Sequence, residues 1–321
     1  MIKIGIEKNW GAEWISDAAM LAQAPPDDRV CFQIGYTPEC DYLIVLNRPR
    51  HRLTVRLPSD RIWGFVQEPP NEVYRSLHRG QSGMGRVYNQ RFGTAHSTRH
   101  RLAPPFIPWF VPGSWSEQAA AAPPTKTREL SCISSRTYFF RGHEQRLRFL
   151  DALQTSDVPI DLFGKGIKGV ADKSEALRPY RYSIIIENGQ FDHYWTEKLA
   201  DCFLSHTYPI YCGCPNIAAY FPAAAMAVLD IRADDAVDRL RSILAQDPAS
   251  KQPAALTQAR EQVLQRHNFF SFVAGEAIDH HAAHLPRNPA AQTVLHAVTP
   301  SVLIAWLRSY RRVLHLRVSG R

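Results

Sequence analysis

YRYSIIIENGQFDHYWTEKLADCFLSHTYPIYCGCPNIAAYF, residues 180–221, is the stretch whose reading decides the fold. Tyr182–Glu187 is a short apolar run rich in β-branched residues, so it reads as a strand buried on both faces. It ends in Glu187-Asn188-Gly189. After a polar loop, Trp195–Leu204 has helical patterning with Thr196, Glu197 and Lys198 in the first turn. Pro209–Tyr211 is a second buried strand that ends at Gly213. Polar groups therefore gather at two strand ends and a helix N-terminus. Exposed N–H groups beside a lysine make a ready site for a phosphate-bearing ligand. Thr196 alone is explained as an N-cap, and Glu197 alone as a charge favoured by the positive helix end. The whole constellation points to a ligand.

The same alternation runs outward in both directions. Upstream, Ile2–Ile6, Val30–Ile34, Tyr42–Leu46 and Ile62–Val66 read as strands, and Ala12–Ala24 and Asn71–Arg79 as helices. Residues 113–128, GSWSEQAAAAPPTKTR, are rich in Ala and Pro without apolar periodicity and read as a linker. Beyond them come strands at Leu130–Ser134, Ile160–Phe163 and Ala227–Ile231, and helices at Gly142–Leu153 and Asp234–Leu244. The expected fold class is α/β, with two Rossmann-like domains whose parallel sheets face a central cleft, and a helical C-terminal extension. The expected boundaries are 1–115 for the first domain, 116–128 for the linker, 129–285 for the second domain and 286–321 for a basic tail.

Composition excludes several classes. A hydrophobic fraction of 45% and a charged fraction of 21% belong to a globular chain of 321 residues. No apolar run reaches the length that spans a membrane, and MIKIGIEKNW reads as a first strand rather than an export signal. Six scattered Cys make neither a disulfide framework nor, with only Cys212-x-Cys214 close together, a zinc site. A reduced, cytoplasmic protein is expected. The net charge of +8 invites a nucleic-acid partner, but the charge is local. Residues 126–279 carry 18 basic and 19 acidic groups, whereas residues 280–321 carry six Arg and no acid. No nucleic-acid role is expected.

Residues 180–221 resemble the donor-binding signature of the family 10 glycosyltransferases, the α-1,3/α-1,4-fucosyltransferases. Three pieces carry the likeness: Ile186-Glu187-Asn188-Gly189, Tyr194-Trp195-Thr196-Glu197-Lys198-Leu199, and Pro209-Ile210-Tyr211-Cys212-Gly213-Cys214-Pro215-Asn216. Gly189 stands where the family usually has Ser, and Cys214 interrupts the last element. The resemblance implies a GT-B arrangement with the nucleotide in the C-terminal domain and GDP-fucose as donor. It also implies an oligosaccharide or glycolipid acceptor, and inversion at the anomeric carbon. Inversion is a single displacement that needs a base, cations for the departing GDP and stabilisation of an oxocarbenium-like centre. Lys198 would neutralise the diphosphate together with its helix N-terminus. Arg146 resembles the family's phosphate-contacting Arg, although Arg141 and Arg148 are neighbours that could exchange roles with it. Glu197 and Tyr194 would face sugar and ribose, and Glu187 and Asn188 would shape the pocket floor, unless Glu187 is purely structural.

For the base, Ile62–Val66 runs into Gln67-Glu68-Pro69-Pro70. The two prolines hold Glu68 extended at a strand's carboxyl end, expected to face the cleft, and the family carries a comparable E-x-P element there. Partial burial would raise its pKa to suit the task. Asn47-Arg48-Pro49-Arg50 and His96 are secondary candidates. Trp63, Tyr88, Trp109, Phe110 and Trp115 read equally as core or as sugar platforms. With no D-x-D element, no metal or other cofactor is expected. In residues 301–318, Leu303, Trp306, Leu307, Tyr310 and Leu314 share one helical face, with Arg308, Arg311, Arg312 and Arg317 largely off it. Such a helix either packs back on the first domain or attaches peripherally to an anionic membrane at its inner face. Another GDP-sugar such as GDP-mannose, and an inactive nucleotide- or carbohydrate-binding protein, are the alternatives.

Overall fold

The computed structural model describes residues 1–11, 13, 15–90, 98–134, 141–283 and 292–297. They form two compact units, one of residues 1–108 with the chain from His267 onward, the other Trp109–Arg266.

The first unit is built on β1 (Ile2–Lys8), β2 (Val30–Ile34), β3 (Tyr42–Leu46), β5 (Ile62–Phe65), β6 (Arg86–Asn89) and β7 (His100–Leu102), all parallel, in the order β2-β1-β3-β5-β6-β7. A short strand β4 (Leu53–Val55) pairs apart, antiparallel with Thr293–Leu295. The alternation along β3 shows why the sheet needs cover on both faces. Tyr42, Ile44 and Leu46 enter one buried cluster with Ile4, Trp63 and Phe65, while Leu43 and Val45 enter another with Ile62, Val87 and Leu295.

The second unit holds β8 (Arg128–Ile133), β9 (Asp161–Phe163), β10 (Tyr180–Ile186), β11 (Tyr208–Cys212) and β12 (Ala227–Val228), parallel, in the order β12-β11-β10-β8-β9. Tyr182 and Ile184 pack with Phe149, Leu150 and Leu153 of helix Arg141–Gln154. Ile185, on the opposite face, packs with Leu199, Cys202 and Phe203 of helix Glu197–Leu204. Between β8 and β10 the buried hydroxyls of Ser131 and Ser183 satisfy each other at 3.0 Å.

The expected fold class of two parallel α/β sheets is what the chain forms, but the boundaries differ. Residues 116–128 are no free linker. Ser114 and Glu117 make a capping box that starts a helix at Trp115–Ala120, and Arg260 donates to its Gln118 carbonyl. Residues 267–283 do not extend the second unit. Helix Phe269–Ala283 buries Phe269, Phe270, Val273 and Ala277 against the first sheet, and His280 Nδ1 pairs with the Tyr42 hydroxyl at 2.9 Å. The helix expected at Ala12–Ala24 shortens to Asp17–Leu21 behind the Ser16 cap, and that at Asn71–Arg79 to Arg75–Arg79 behind a 3-10 turn. Within the tail, Thr293–Leu295 is described, while the proposed amphipathic segment 301–318 lies outside the described residues.

Candidate functional site

Open α/β sheets bind ligands outside the carboxyl ends of their strands, where the strand order reverses. In the second unit the chain runs from β8 outward to β9, then crosses back to β10 and on to β11. The reversal lies between β8 and β10, whose ends present Ser134 and Glu187. The Ser134 hydroxyl is buried with no hydrogen bond among the described residues. Arg146 is buried to 7% exposure near Cys132 of β8, and burial pushes the pKa of its guanidinium down. Arg148, by contrast, is exposed and paired with Glu144, and the Arg141 side chain is outside the described ones. Of the three candidate arginines, two are thus described, and Arg146 is the one turned into the fold.

Glu187 ends β10 with its side chain fully buried. One oxygen accepts the Thr196 backbone N–H at 2.8 Å and the other accepts the Thr196 hydroxyl at 2.7 Å. Lys198 Nζ lies 3.4 Å from Glu187, 3.1 Å from Thr196 Oγ1 and 3.6 Å from Glu197. Thr196 is the N-cap of helix Glu197–Leu204, as its sequence position implies, with the Lys198 N–H donating to its side chain. Lys198 is not the uncommitted cation that the sequence suggests, because two carboxylates share it. Its carboxylate contacts are long, and its side chain keeps 27% exposure. Asn188 is exposed beside this group, and Tyr194 is buried with its ring edge-on to Phe191.

Two further residues join the cluster from outside the motif. Lys173 Nζ, from a 3-10 turn at Lys173–Ala176, bridges Glu197 at 3.3 Å and Asp201 at 2.8 Å. Burial pushes the Glu197 carboxyl up, but Lys198 and Lys173 together outweigh it and hold the group at about 2. Its ionised form therefore stabilises the native chain above the ordinary 4.5, and that contribution fades as pH falls towards 2. Lys173 sits in a stretch without motif character. Asp201 left a signal, since Glu197 and Asp201 are like charges one helical turn apart and require a cation between them.

Two glycines shape this end of the sheet. A Cβ on Gly213 would lie 2.4 Å from the Tyr211 hydroxyl and 2.5 Å from Glu187 Cγ, so the close approach of those groups requires glycine. Tyr211 in turn accepts the Cys214 N–H at 2.9 Å. A Cβ on Gly189 would fall 2.5 Å from the Phe191 ring, which gives a physical reason for the missing serine. Asn216 steadies the loop by accepting the His193 N–H at 2.8 Å, and His193 Nδ1 pairs with the Tyr220 hydroxyl at 2.7 Å.

In the first unit, Glu68 follows β5 by three residues and is half-buried. The Tyr74 hydroxyl hydrogen-bonds its carboxylate. Burial first, then the charge of Glu68, pushes that phenol up to about 12. His78 Nε2 contacts the Glu68 carbonyl at 3.0 Å. One residue earlier, the Gln67 N–H donates to Asn47 at 2.8 Å, and Gln67 accepts from the Trp10 indole at 3.0 Å. Asn47, at φ +61°, thus anchors strand ends. His96 lies outside the described residues. Trp63, Tyr88 and Trp109 are core, and Trp115 donates to the Leu264 carbonyl. Among the described residues no helix is long and apolar enough to cross a membrane, and no three His, Cys, Asp or Glu cluster as metal ligands.

Residues 123–249 match glycosyltransferase family 10 (fucosyltransferase), C-terminal part. A putative fucosyltransferase-like protein of Arabidopsis thaliana is 30% identical over 114 residues, which are 35% of this chain and 22% of that one. The α-(1,3)-fucosyltransferase FucT of Helicobacter pylori is 39% identical over 74 residues, 22% of this chain and 16% of its own. The matched stretches thus span about a fifth of those relatives. A crystal structure of the DNA-modifying enzyme β-glucosyltransferase, determined with and without uridine diphosphoglucose, shares the fold. Its TM-score is 0.50 at 10% identity, covering 87% of this chain and all of that one.

Proposed function

We infer the activity from the premise that residues 123–249 belong to glycosyltransferase family 10, the fucosyltransferases: the protein moves fucose from GDP-fucose to a hydroxyl of a glycan acceptor. The observation that carries this is a coincidence of place. The residues of the donor motif, Glu187, Thr196, Glu197 and Lys198, meet at the strand-order reversal where such a sheet binds ligands.

The reaction is read as inverting. The acceptor oxygen attacks the anomeric carbon as the bond to the β-phosphate oxygen breaks, GDP leaves with the bonding pair, and the acceptor proton passes to Glu68. Arg146 and Lys198 balance the charge of the departing diphosphate, without a metal or cofactor. The long contacts of Lys198 suit this, because a diphosphate competes readily for an ammonium held at 3.4 and 3.6 Å. Glu197 accepts from sugar or ribose hydroxyls, Tyr194 backs it, and Asn188 closes the exposed side.

Calorimetry of the purified protein tests the donor. GDP-fucose is expected to bind and GDP-mannose to bind weakly. The reverse order sinks the fucose assignment in favour of another GDP-sugar, a reading to which Gly189 packed on Phe191 lends its only support. The basic C-terminal segment is read, on sequence, as a device for a peripheral membrane surface. A chain ending at residue 299 is therefore expected to keep its GDP affinity while losing sedimentation with anionic vesicles. Loss of folding instead would assign residues 300–321 to the scaffold.

A further inference from the structure

Helix Glu197–Leu204 presents two carboxylates one turn apart, Glu197 at 8% exposure and Asp201 at 0%. Like charges at this spacing repel, and burial multiplies the cost. Lys173 resolves the conflict from a separate element. Its turn is fixed by Asp172, whose side chain accepts the Ser174 N–H at 2.6 Å, and its ammonium sits between the two carboxylates. The second oxygen of Asp201 accepts the N–H groups of Phe110 at 2.7 Å and Val111 at 3.2 Å, and Lys173 Nζ stands 4.6 Å over the Phe110 ring. The result is an unbroken line of charge. It runs from the Phe110 and Val111 amides through Asp201, Lys173, Glu197 and Lys198 to Glu187 and Thr196.

A buried ionic line of this kind is a poor way to gain stability, since apolar residues of similar volume do as well. What it does supply is orientation. Both lysines meet the same Glu197 carboxylate oxygen, Lys173 at 3.3 Å and Lys198 at 3.6 Å, so together they set the direction in which that oxygen points. Lys173 is the more tightly held of the two cations, with its shortest carboxylate contact at 2.8 Å against 3.4 Å for Lys198. It can keep Glu197 in place while Lys198 exchanges partners.

We propose that Lys173 and Asp201 are positioning residues of the donor site, fixing the Glu197 carboxylate and, through it, the Lys198 ammonium. The proposal rests on the reading that this motif binds GDP. Lys173 and Asp201 need not touch the nucleotide.

GDP binding and thermal melting of three variants test it: Lys173→Met, Lys173→Arg, and Lys173→Met combined with Asp201→Asn. Lys173→Met leaves a buried charge unbalanced and is expected to lower both Tm and affinity. The double variant removes both charges, and its Asn still accepts from Phe110 and Val111, so Tm recovers. Its GDP affinity is nevertheless expected to stay about tenfold or more below wild type, the worth of one charge-assisted hydrogen bond. Glu197, left with Lys198 alone and facing Glu187, also begins to titrate. Binding by the double variant falls more steeply with falling pH than wild-type binding does, over and above the slope that protonation of GDP's terminal phosphate gives both proteins. Lys173→Arg restores the wild-type profile. A double variant that binds GDP like wild type, with the wild-type pH profile, overturns the proposal and makes Lys173 a structural residue only. Should Lys173→Met fail to fold, the double variant still decides. Wild-type protein that ignores GDP overturns the donor reading itself, and this inference with it.

Discussion

Glu68→Gln is expected to lower kcat for fucosyl transfer by roughly 10²–10⁴-fold, the range that a positioned general base contributes. The substitution keeps the size of the side chain and an oxygen that can accept the Tyr74 hydroxyl, and the prolines at 69 and 70 hold the backbone as before. The fold should therefore persist, with Tm within a few degrees of wild type. The donor motif belongs to the other compact unit, so calorimetric GDP-fucose affinity should also persist. Loss of turnover with retained donor binding is the signature of a proton acceptor. A second readout is the pH dependence of kcat, whose acid limb should vanish in the variant along with the carboxylate. If Glu68→Gln turns over like wild type, the base lies elsewhere, and the half-buried carboxylate after β5 is a brace for Tyr74. If donor affinity falls together with kcat, Glu68 acts through the structure of its unit rather than on the proton.

The sequence disclosed the parts of this protein that repeat a local rule. The parallel sheets were legible because β3 and β10 are nearly continuous apolar runs, as sheets covered on both faces require. The Thr196 cap was legible because a hydroxyl before Glu197-Lys198 has one natural use. Three things were not legible, each for a physical reason. The helix at Trp115–Ala120 hid in an Ala- and Pro-rich stretch whose composition outweighed its Ser114-x-x-Glu117 box. Helix Phe269–Ala283 has apolar residues around much of its circumference, so nothing in its pattern said which sheet it would cover. The pairing of Lys173 with Glu197 and Asp201 joins residues 24 and 28 positions apart, and no local periodicity encodes such a contact. A separation of 11 positions likewise hides the commitment of Lys198, which reads as an available cation until Glu187 is seen beside it.

That commitment changes how charge in the second unit must be understood. The buried group of Glu187, Glu197 and Asp201 with Lys173 and Lys198 carries one more carboxylate than lysine. A diphosphate cannot simply be attracted to it. The positive helix end offsets part of the excess, and Arg146, pressed into the fold beside β8, supplies a cation from the other side of the reversal point. On this view Lys198 is a shared cation that changes partners as the donor arrives, and Glu187 is the partner it leaves.

Glu187→Ala tests that view and should be the most destructive single change in the second unit. It strips Thr196, itself buried, of the acceptor for both its N–H and its hydroxyl, and leaves Glu197 as the one carboxylate on Lys198 among the described residues. Breaking a buried ion pair costs about 3–5 kcal/mol and orphaned donors about 1–3 kcal/mol each, against a total stability of about 5–15 kcal/mol for a domain. Melting should shift far down, with GDP binding lost alongside the fold. Glu187→Gln separates scaffold from charge. Its amide oxygen can take one Thr196 donor while its NH₂ opposes the other, so a moderate loss of about 1–3 kcal/mol is expected. GDP affinity, however, should hold or rise, because Lys198 no longer has to leave an anion to meet the diphosphate. Differential scanning calorimetry and GDP titration of the two variants measure both quantities. A Glu187→Gln protein that folds well yet binds GDP far more weakly than wild type would mean that the carboxylate charge itself serves the nucleotide, and that Lys198 does not change partners at all.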